Sequence, residues 1–156
     1  MELLSLNAPI GKLTIASDGE HITHIFFDGE EPSNGSESCC SPVLEAAEEQ
    51  LNEYFAGGRK AFDLPLKPSG GAFHKKVWEI MLEKVPYGST ISYSALASMA
   101  GNPKAARAVG MANNRNPIPI IIPCHRVVGK SGNMTGFRPG IDIKEKLLTL
   151  EETYIQ

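Results

Sequence analysis

The chain has 156 residues, 42% of them hydrophobic and 21% charged, with a net charge of −3 at pH 7. That length can bury a core as one domain or as a small domain beside a larger one, and the composition is ordinary for a soluble globular protein. No apolar run approaches the ~20 residues a membrane span needs. The N-terminal Met-Glu-Leu-Leu-Ser-Leu lacks the basic region and apolar core of a signal peptide. A protein of the cytoplasm, or of the nucleus in a eukaryote, is expected, with no membrane partner.

Charge is unevenly placed. Residues 1–69 carry 4 basic and 12 acidic side chains, hence −8; residues 70–156 carry 11 basic and 6 acidic ones, hence +5. An acidic half joined to a basic half suits a chain of which only the second half meets a polyanion. The three cysteines are an odd number without an export signal, which points to reduced thiols. Cys39 and Cys40 sit in a Ser/Gly/Asn/Glu-rich stretch, and with His21, His24 and His74 they match no compact zinc spacing. No metal site is expected.

In chain order, residues 2–6, 10–16 and 21–27 are short, β-rich and separated by turn chemistry at Asn7-Ala8-Pro9 and Ser17-Asp18-Gly19-Glu20, predicting a three-stranded meander. Gly29 to Ser38 reads as a polar loop. Ser41-Pro42 opens a helix, Ser as N-cap and Pro in the first turn, with Val43, Leu44, Ala47, Leu51, Tyr54 and Phe55 at helical spacing and Gly57-Gly58 as its stop. Ala61 to Leu66 is predicted as a further strand. Lys67-Pro68-Ser69-Gly70-Gly71 reads as a boundary between a domain over 1–69 and one over 70–156.

Beyond it Phe73, Val77, Ile80 and Met81 mark a helix, and Trp78 fits its core face. Pro86-Tyr87-Gly88 is a turn. Two short helices are then expected, Ser92 to Ala100 and Pro103 to Asn113, with Gly101 ending the first and Asn102 capping the second. That is a helix-turn-helix pattern, with Lys104, Arg107 and Arg115 supplying basic charge and Ala105, Ala106, Ala108, Gly110 and Ala112 permitting close approach. Tight helix packing in a core would use the same small residues.

Asn116 to Val128 reads Asn-Pro-Ile-Pro-Ile-Ile-Ile-Pro-Cys-His-Arg-Val-Val. Pro117, Pro119 and Pro123 disfavour helix, so this segment is expected to be a stiff, buried, extended rail that delivers Cys124. A thiol becomes a nucleophile only with a base in reach and a group to orient that base. His125 is the neighbouring base, but adjacent side chains on a strand point to opposite faces, so contact needs a turn or a bridging water. Glu151, Glu145 and Asp142 are the candidate orienting carboxylates. Asp142 with Glu145 is expected to start the last helix as a capping box. A buried structural thiol is the competing reading for Cys124.

The runs Ile91-Ser92-Tyr93, Leu96-Ala97, Ala100 to Gly110, Asn116-Pro117-Ile118-Pro119 and Ile122-Pro123-Cys124-His125-Arg126-Val127-Val128 resemble the O6-alkylguanine-DNA alkyltransferases, also called methylated-DNA–protein-cysteine methyltransferases. The match is dense over residues 73–151 and loose over 1–69. It implies an α/β N-terminal domain with a small antiparallel sheet, serving as scaffold. A mostly α C-terminal domain would follow, with a winged-helix-like helix-turn-helix, DNA binding and alkyl transfer.

The resemblance further implies a cofactor-free monomer that binds the minor groove of double-stranded DNA carrying O6-alkylguanine. It would transfer the alkyl group irreversibly to Cys124, once per molecule, with O4-methylthymine also a substrate. Arg107 would be the finger that fills the base stack, with Lys104, Ala105, Ala106 and Arg115 along the DNA. Tyr93 would drive nucleotide rotation and donate to the base. Main-chain carbonyls of Cys124 and Val127 would accept from the exocyclic amine. His125 would act through water on the thiol, Glu151 would orient it, and Asn116 would brace the turn. Phe137, Arg138 and Pro139 would line the pocket; Phe137 stands where members usually have tyrosine, and Pro139 where they usually have glycine. The rival function is a non-catalytic binder of alkylated DNA, although relatives of that kind lack the reactive cysteine.

Overall fold

The computed structural model describes residues 1–32, 36–37, 41–129 and 137–155. The chain divides into two compact units, Met1–Ser69 and Gly70–Gln156. Cys39 and Cys40, and most of the predicted turn after Val128, lie outside the described residues.

In the first unit, β1 (Glu2–Ala8), β2 (Gly11–Ser17) and β3 (Ile22–Phe27) form the expected antiparallel meander. Two differences follow from backbone hydrogen bonding. Ser36–Glu37, inside the predicted loop, form a two-residue strand β4 that pairs parallel to β1, giving the order β3-β2-β1-β4. Ala61 to Leu66 is not a strand: it meets β3 through one bridge, Ile22 to Leu66, with Ile22 N donating to Pro65 O and Lys67 N to Ile22 O. Pro65 and Pro68 have no N–H with which to extend that ladder.

Helix α1 (Pro42–Phe55) buries Leu44, Ala47, Leu51 and Tyr54 and packs on the sheet. Ser41 occupies the N-cap position, yet its hydroxyl makes no capping bond. The helix ends at Gly57, whose φ of 85° lets Gly57 N reach Tyr54 O and Gly58 N reach Glu53 O.

In the second unit, α2 (Ala72–Lys84) buries Val77, Trp78 and Met81. The Trp78 indole N–H donates to Ala112 O at 2.9 Å, so the aromatic residue ties α2 to the segment that carries Ala112. β5 (Ile91–Ser92) leads directly into α3 (Tyr93–Met99), whose N-cap Ser92 accepts from Ala95 N at 3.1 Å. Gly101, at φ 90°, makes the turn.

The second helix of the pair, α4 (Ala106–Asn114), starts three residues later than the sequence suggests. Asn102 accounts for the delay. Its side chain accepts from Lys104 N and its carbonyl from Ala105 N, making a separate turn of Pro103 and Lys104 rather than a helical cap.

The rail prediction is the largest correction. Residues 116–123 form a compact buried turn, not an extended strand. Ile122 N returns to Ile118 O at 2.9 Å, Pro119 and Ile122 form a bridge, and Ile120 sits at φ 75°. A β-branched residue with positive φ is strained, and here its fully buried side chain holds it in place. Cys124–Arg126 then form a single 3₁₀ turn, entered by a tight Cys124 N to Ile122 O bond of 2.7 Å. It runs into β6 (Val127–Val128), which pairs parallel to β5.

Finally α5 (Ile141–Tyr154) is entered through Gly140 at φ 123°, not through an Asp142–Glu145 capping box. Only glycine takes that backbone conformation without strain, so the N-cap falls one position before the helix and Asp142 lies within the first turn. Among the described residues no helix is long and apolar enough to cross a membrane.

Candidate functional site

Cys124 is 3% exposed and lines a small cleft with Asn113, Asn116, Phe137, Arg138 and Pro139 among its walls. Its position follows from the local fold. Asn116 lies two residues beyond α4 and spans the next turn: its Oδ1 accepts from Ile118 N at 2.9 Å and its Nδ2 donates to Ile122 O at 2.8 Å. The residue thereby fixes the chain two positions before the thiol. Asn113, in the last turn of α4, donates from Nδ2 to Cys124 O at 3.2 Å.

Behind the thiol is a buried polar chain. His125 is fully buried, and its Nε2 lies 2.6 Å from Glu151 Oε2. An ionised carboxylate only accepts, so Nε2 carries the proton and Nδ1 is left as the acceptor. Nδ1 has no partner among the described residues.

Glu151 also takes two bonds from Arg126, Nε to Oε1 at 2.8 Å and Nη2 to Oε2 at 2.9 Å, and one from Gly88 N at 3.3 Å. Arg126 completes its fork on Val85 O at 2.8 Å and lies over the Tyr87 ring. Four donors thus saturate one carboxylate, a bidentate arrangement that carries both strength and direction. Of the three carboxylates open in the sequence, Glu151 is the one that contacts His125; Glu145 and Asp142 are exposed.

The 3₁₀ turn makes this possible. On a strand His125 and Arg126 would face opposite ways, whereas the turn lets both reach α5. On α5, Lys144, Leu147 and Glu151 share a buried face, as spacings of three, four and seven require. Lys144 is fully buried and its ammonium donates to Val127 O.

The electrostatics follow from this burial. Burial pushes the Cys124 thiol above its ordinary value, and a hydrogen bond from Asn116 with the charges of Arg138 and Lys144 acts against that. Burial holds His125 below its ordinary value, opposed by Glu151 and reinforced by Arg126 and Lys144. For Glu151 burial acts upward, but the hydrogen bonds from His125 and Arg126 and the Arg126 charge prevail and hold the carboxyl well below the usual range. Burial lowers Lys144, with Cys124 acting against it. The site therefore holds an ionised carboxylate, a neutral imidazole and a thiol flanked by cations.

The remaining expected residues are distributed as follows. Phe137, Arg138 and Pro139 line the cleft with Cys124, and Arg138 Nη1 reaches Asn114 O and Asn116 O at 3.3 and 3.4 Å. Val127 is buried in β6 and does not line that cleft. Tyr93 begins α3 and stands over α4: a Cβ on Gly110 would lie 3.9 Å from its ring. Lys104, Arg107 and Arg115 are exposed around α4, and Ala105 and Ala106 are partly exposed at its start. Of the small residues, Ala112 belongs to the core while Ala108 is exposed between the basic side chains.

Three contributors escaped the sequence reading. Arg126 adjoins His125 in the motif, but its partner lies 25 residues away. Lys144 could have been found from its position two turns before Glu151 on one helical face. Asn113 carries no signal in the sequence beyond its nearness to Asn116.

The family model described as 6-O-methylguanine DNA methyltransferase, DNA binding domain, matches residues 72–153. That described as 6-O-methylguanine DNA methyltransferase, ribonuclease-like domain, matches residues 4–68. A methylated-DNA–protein-cysteine methyltransferase of Methanosarcina acetivorans is 47% identical over 147 residues, covering 92% of this chain and 94% of the relative. The constitutive methylated-DNA–protein-cysteine methyltransferase of Bacillus subtilis is 45% identical over 150 residues, covering 92% and 90%. The crystal structure of Mycobacterium tuberculosis OGT in complex with DNA superposes with a TM-score of 0.91 at 41% identity, covering 99% of this chain and 94% of that one. Matched along both units by sequence and by structure, the chain belongs to the 6-O-methylguanine DNA methyltransferase family.

Proposed function

We propose that this protein repairs DNA by direct reversal, moving the O6-alkyl group of a flipped O6-methylguanine onto Cys124. The observation that carries the reading is the placement of the thiol. It lies in a cleft that begins where α4 ends, backed by a base whose tautomer is fixed by Glu151. The exposed Lys104, Arg107 and Arg115 surround α4 and suit a phosphate backbone. The O6 atom of a stacked guanine cannot reach a buried sulfur, so the nucleotide leaves the helix. Arg107 takes its place in the stack, and Tyr93 crowds the backbone and donates its hydroxyl to the leaving base.

In the transfer step the Cys124 sulfur forms a bond to the alkyl carbon as that carbon's bond to O6 breaks. The thiol proton passes through water to His125 Nδ1, while the Nε2 proton stays on the ring and is donated to Glu151. The electron pair leaves with the guanine oxygen, the ring takes a proton from the Tyr93 hydroxyl, and the proton released by the thiol replaces it through solvent. Neutral His125 suits this role, since an imidazolium could take no proton. The thioether product is a very poor leaving group and no neighbouring residue removes it, so each molecule acts once. The unit over 1–69 serves as scaffold, and O4-methylthymine is a second substrate.

Intact mass measurement after incubation with a duplex carrying one O6-methylguanine tests the reading. The expected result is a gain of one methyl, located on the Cys124 peptide and lost in Cys124→Ser, which still binds DNA. Binding without mass gain would mark a lesion-binding protein instead.

A further inference from the structure

Arg138 stands in the wall of the Cys124 cleft on a firmly held root. Phe137 before it is buried, Pro139 after it has a fixed φ, and Gly140 N donates to Phe137 O at 3.0 Å, closing the turn. From that turn Nη1 reaches Asn114 O at 3.3 Å and Asn116 O at 3.4 Å. Asn114 is the last residue of α4, and the final carbonyls of a helix lack helical donors and form the negative end of its dipole. A guanidinium there caps the helix and also latches the segment before α5 to the one that leads from α4 to the thiol.

The charges around Cys124 differ in how far they can act on it. Burial pushes the thiol above its ordinary value, with Arg138 and Lys144 acting against that. In the 3₁₀ turn His125 is neutral. Glu151, on α5, would oppose a thiolate, but it is saturated by the His125 N–H and the Arg126 fork. Lys144, also on α5, is committed to Val127 O, and burial weakens its hold on its own proton. From α4 the cleft receives the uncharged Asn113 and Asn114. Arg138 is the cation among the described residues that line it, and a guanidinium keeps its charge throughout the range in which a thiol titrates.

We propose that Arg138 is a positioning residue for alkyl transfer, its latched guanidinium holding a fixed positive charge in the cleft wall that favours thiolate over thiol at Cys124. This rests on the transfer reading above. No bond to Arg138 forms or breaks. The proton still leaves sulfur through water to His125 Nδ1, and the cation stabilises the charge left on sulfur until the alkyl carbon takes the electron pair. Because Arg138 is exposed, salt screens its effect, which separates it from that of the buried Lys144.

The test titrates the Cys124 thiol in the full chain without DNA, by its ultraviolet thiolate absorbance taken as the difference from Cys124→Ser, so that other cysteines and tyrosines cancel. Arg138→Gln keeps an amide donor for the latch and removes the charge. Its thiol midpoint is expected to rise by about half a unit to one unit at low salt. Arg138→Lys should recover most of that rise, and about 1 M potassium chloride should erase most of the difference between wild type and Arg138→Gln. Single-turnover transfer from an O6-methylguanine duplex by Arg138→Gln should slow about two- to three-fold at neutral pH, the loss of thiolate being partly offset by its greater nucleophilicity, and should not slow above the thiol midpoint. An unmoved midpoint, a rise that salt leaves intact, or an equal change in transfer at every pH, as expected of a merely steric wall, overturns the assignment. No methyl on Cys124 in the wild type would instead refute the transfer reading, which the titration does not depend on.

Discussion

Replacing Arg126 with methionine removes the cation that saturates Glu151 while keeping much of the apolar stem. The structure sets the size of the effect. Three charge-assisted bonds of 2.8, 2.9 and 2.8 Å disappear, two to Glu151 and one to Val85 O. The carboxylate stays buried, with His125 and Gly88 N among its remaining donors. Breaking a buried pair from one side costs about 3–5 kcal/mol, a large share of the roughly 5–15 kcal/mol that holds a domain folded.

A second consequence is specific to the site. Arg126 is one of the charges that hold His125 below its ordinary value, so its loss lets Glu151 draw a proton onto the imidazole. Imidazolium cannot take the thiol proton, so methyl transfer at neutral pH should slow more than at pH 9, and the rate profile should move toward higher pH. Urea denaturation at pH 8 and the pH dependence of single-turnover transfer measure the two effects separately. Arg126→Lys, which keeps the charge without the fork, should restore most of the pH profile and less of the stability. A stability loss below about 1 kcal/mol, or an unmoved pH profile in the methionine variant, would refute this account of the polar chain.

The same groups make the protein acid-sensitive. His125 and Glu151 both have folded values below their unfolded ones of 6.5 and 4.5, so their contributions are full above those values and are lost as pH falls through the folded ones. The urea midpoint should decline from about pH 6.5 downward; a flat midpoint between pH 7 and 5 would contradict the burial of a neutral His125. Asn116→Leu leaves Ile118 N buried without its present partner and takes from Ile122 O one of two donors, Cys124 N remaining, and should cost about 2 kcal/mol in chemical denaturation; a loss under about 0.5 kcal/mol would show the turn does not depend on it. Pro139→Gly should raise the transfer rate from a benzylated guanine, since proline adds bulk and stiffness at the cleft wall. No gain there would remove the loop from the determinants of alkyl size.

What the sequence determined by itself was local. The meander of β1 to β3, α1 with its glycine stop, and the Trp78 face of α2 follow from alternation, helical spacing and turn chemistry, which act between near neighbours. The motif around Cys124 likewise pointed to the family. Tertiary structure decided what depends on packing. Three prolines suggested an extended rail, but burial of Ile118, Ile120 and Ile122 and the bridging amide of Asn116 fold it into a turn, even at the expense of a positive φ at Ile120. The choice of Glu151 over Glu145 and Asp142 required knowing which face of α5 is buried. The fork of Arg126 was invisible for the same reason: its partner is remote in sequence, and only the folded core specifies which polar atoms it satisfies.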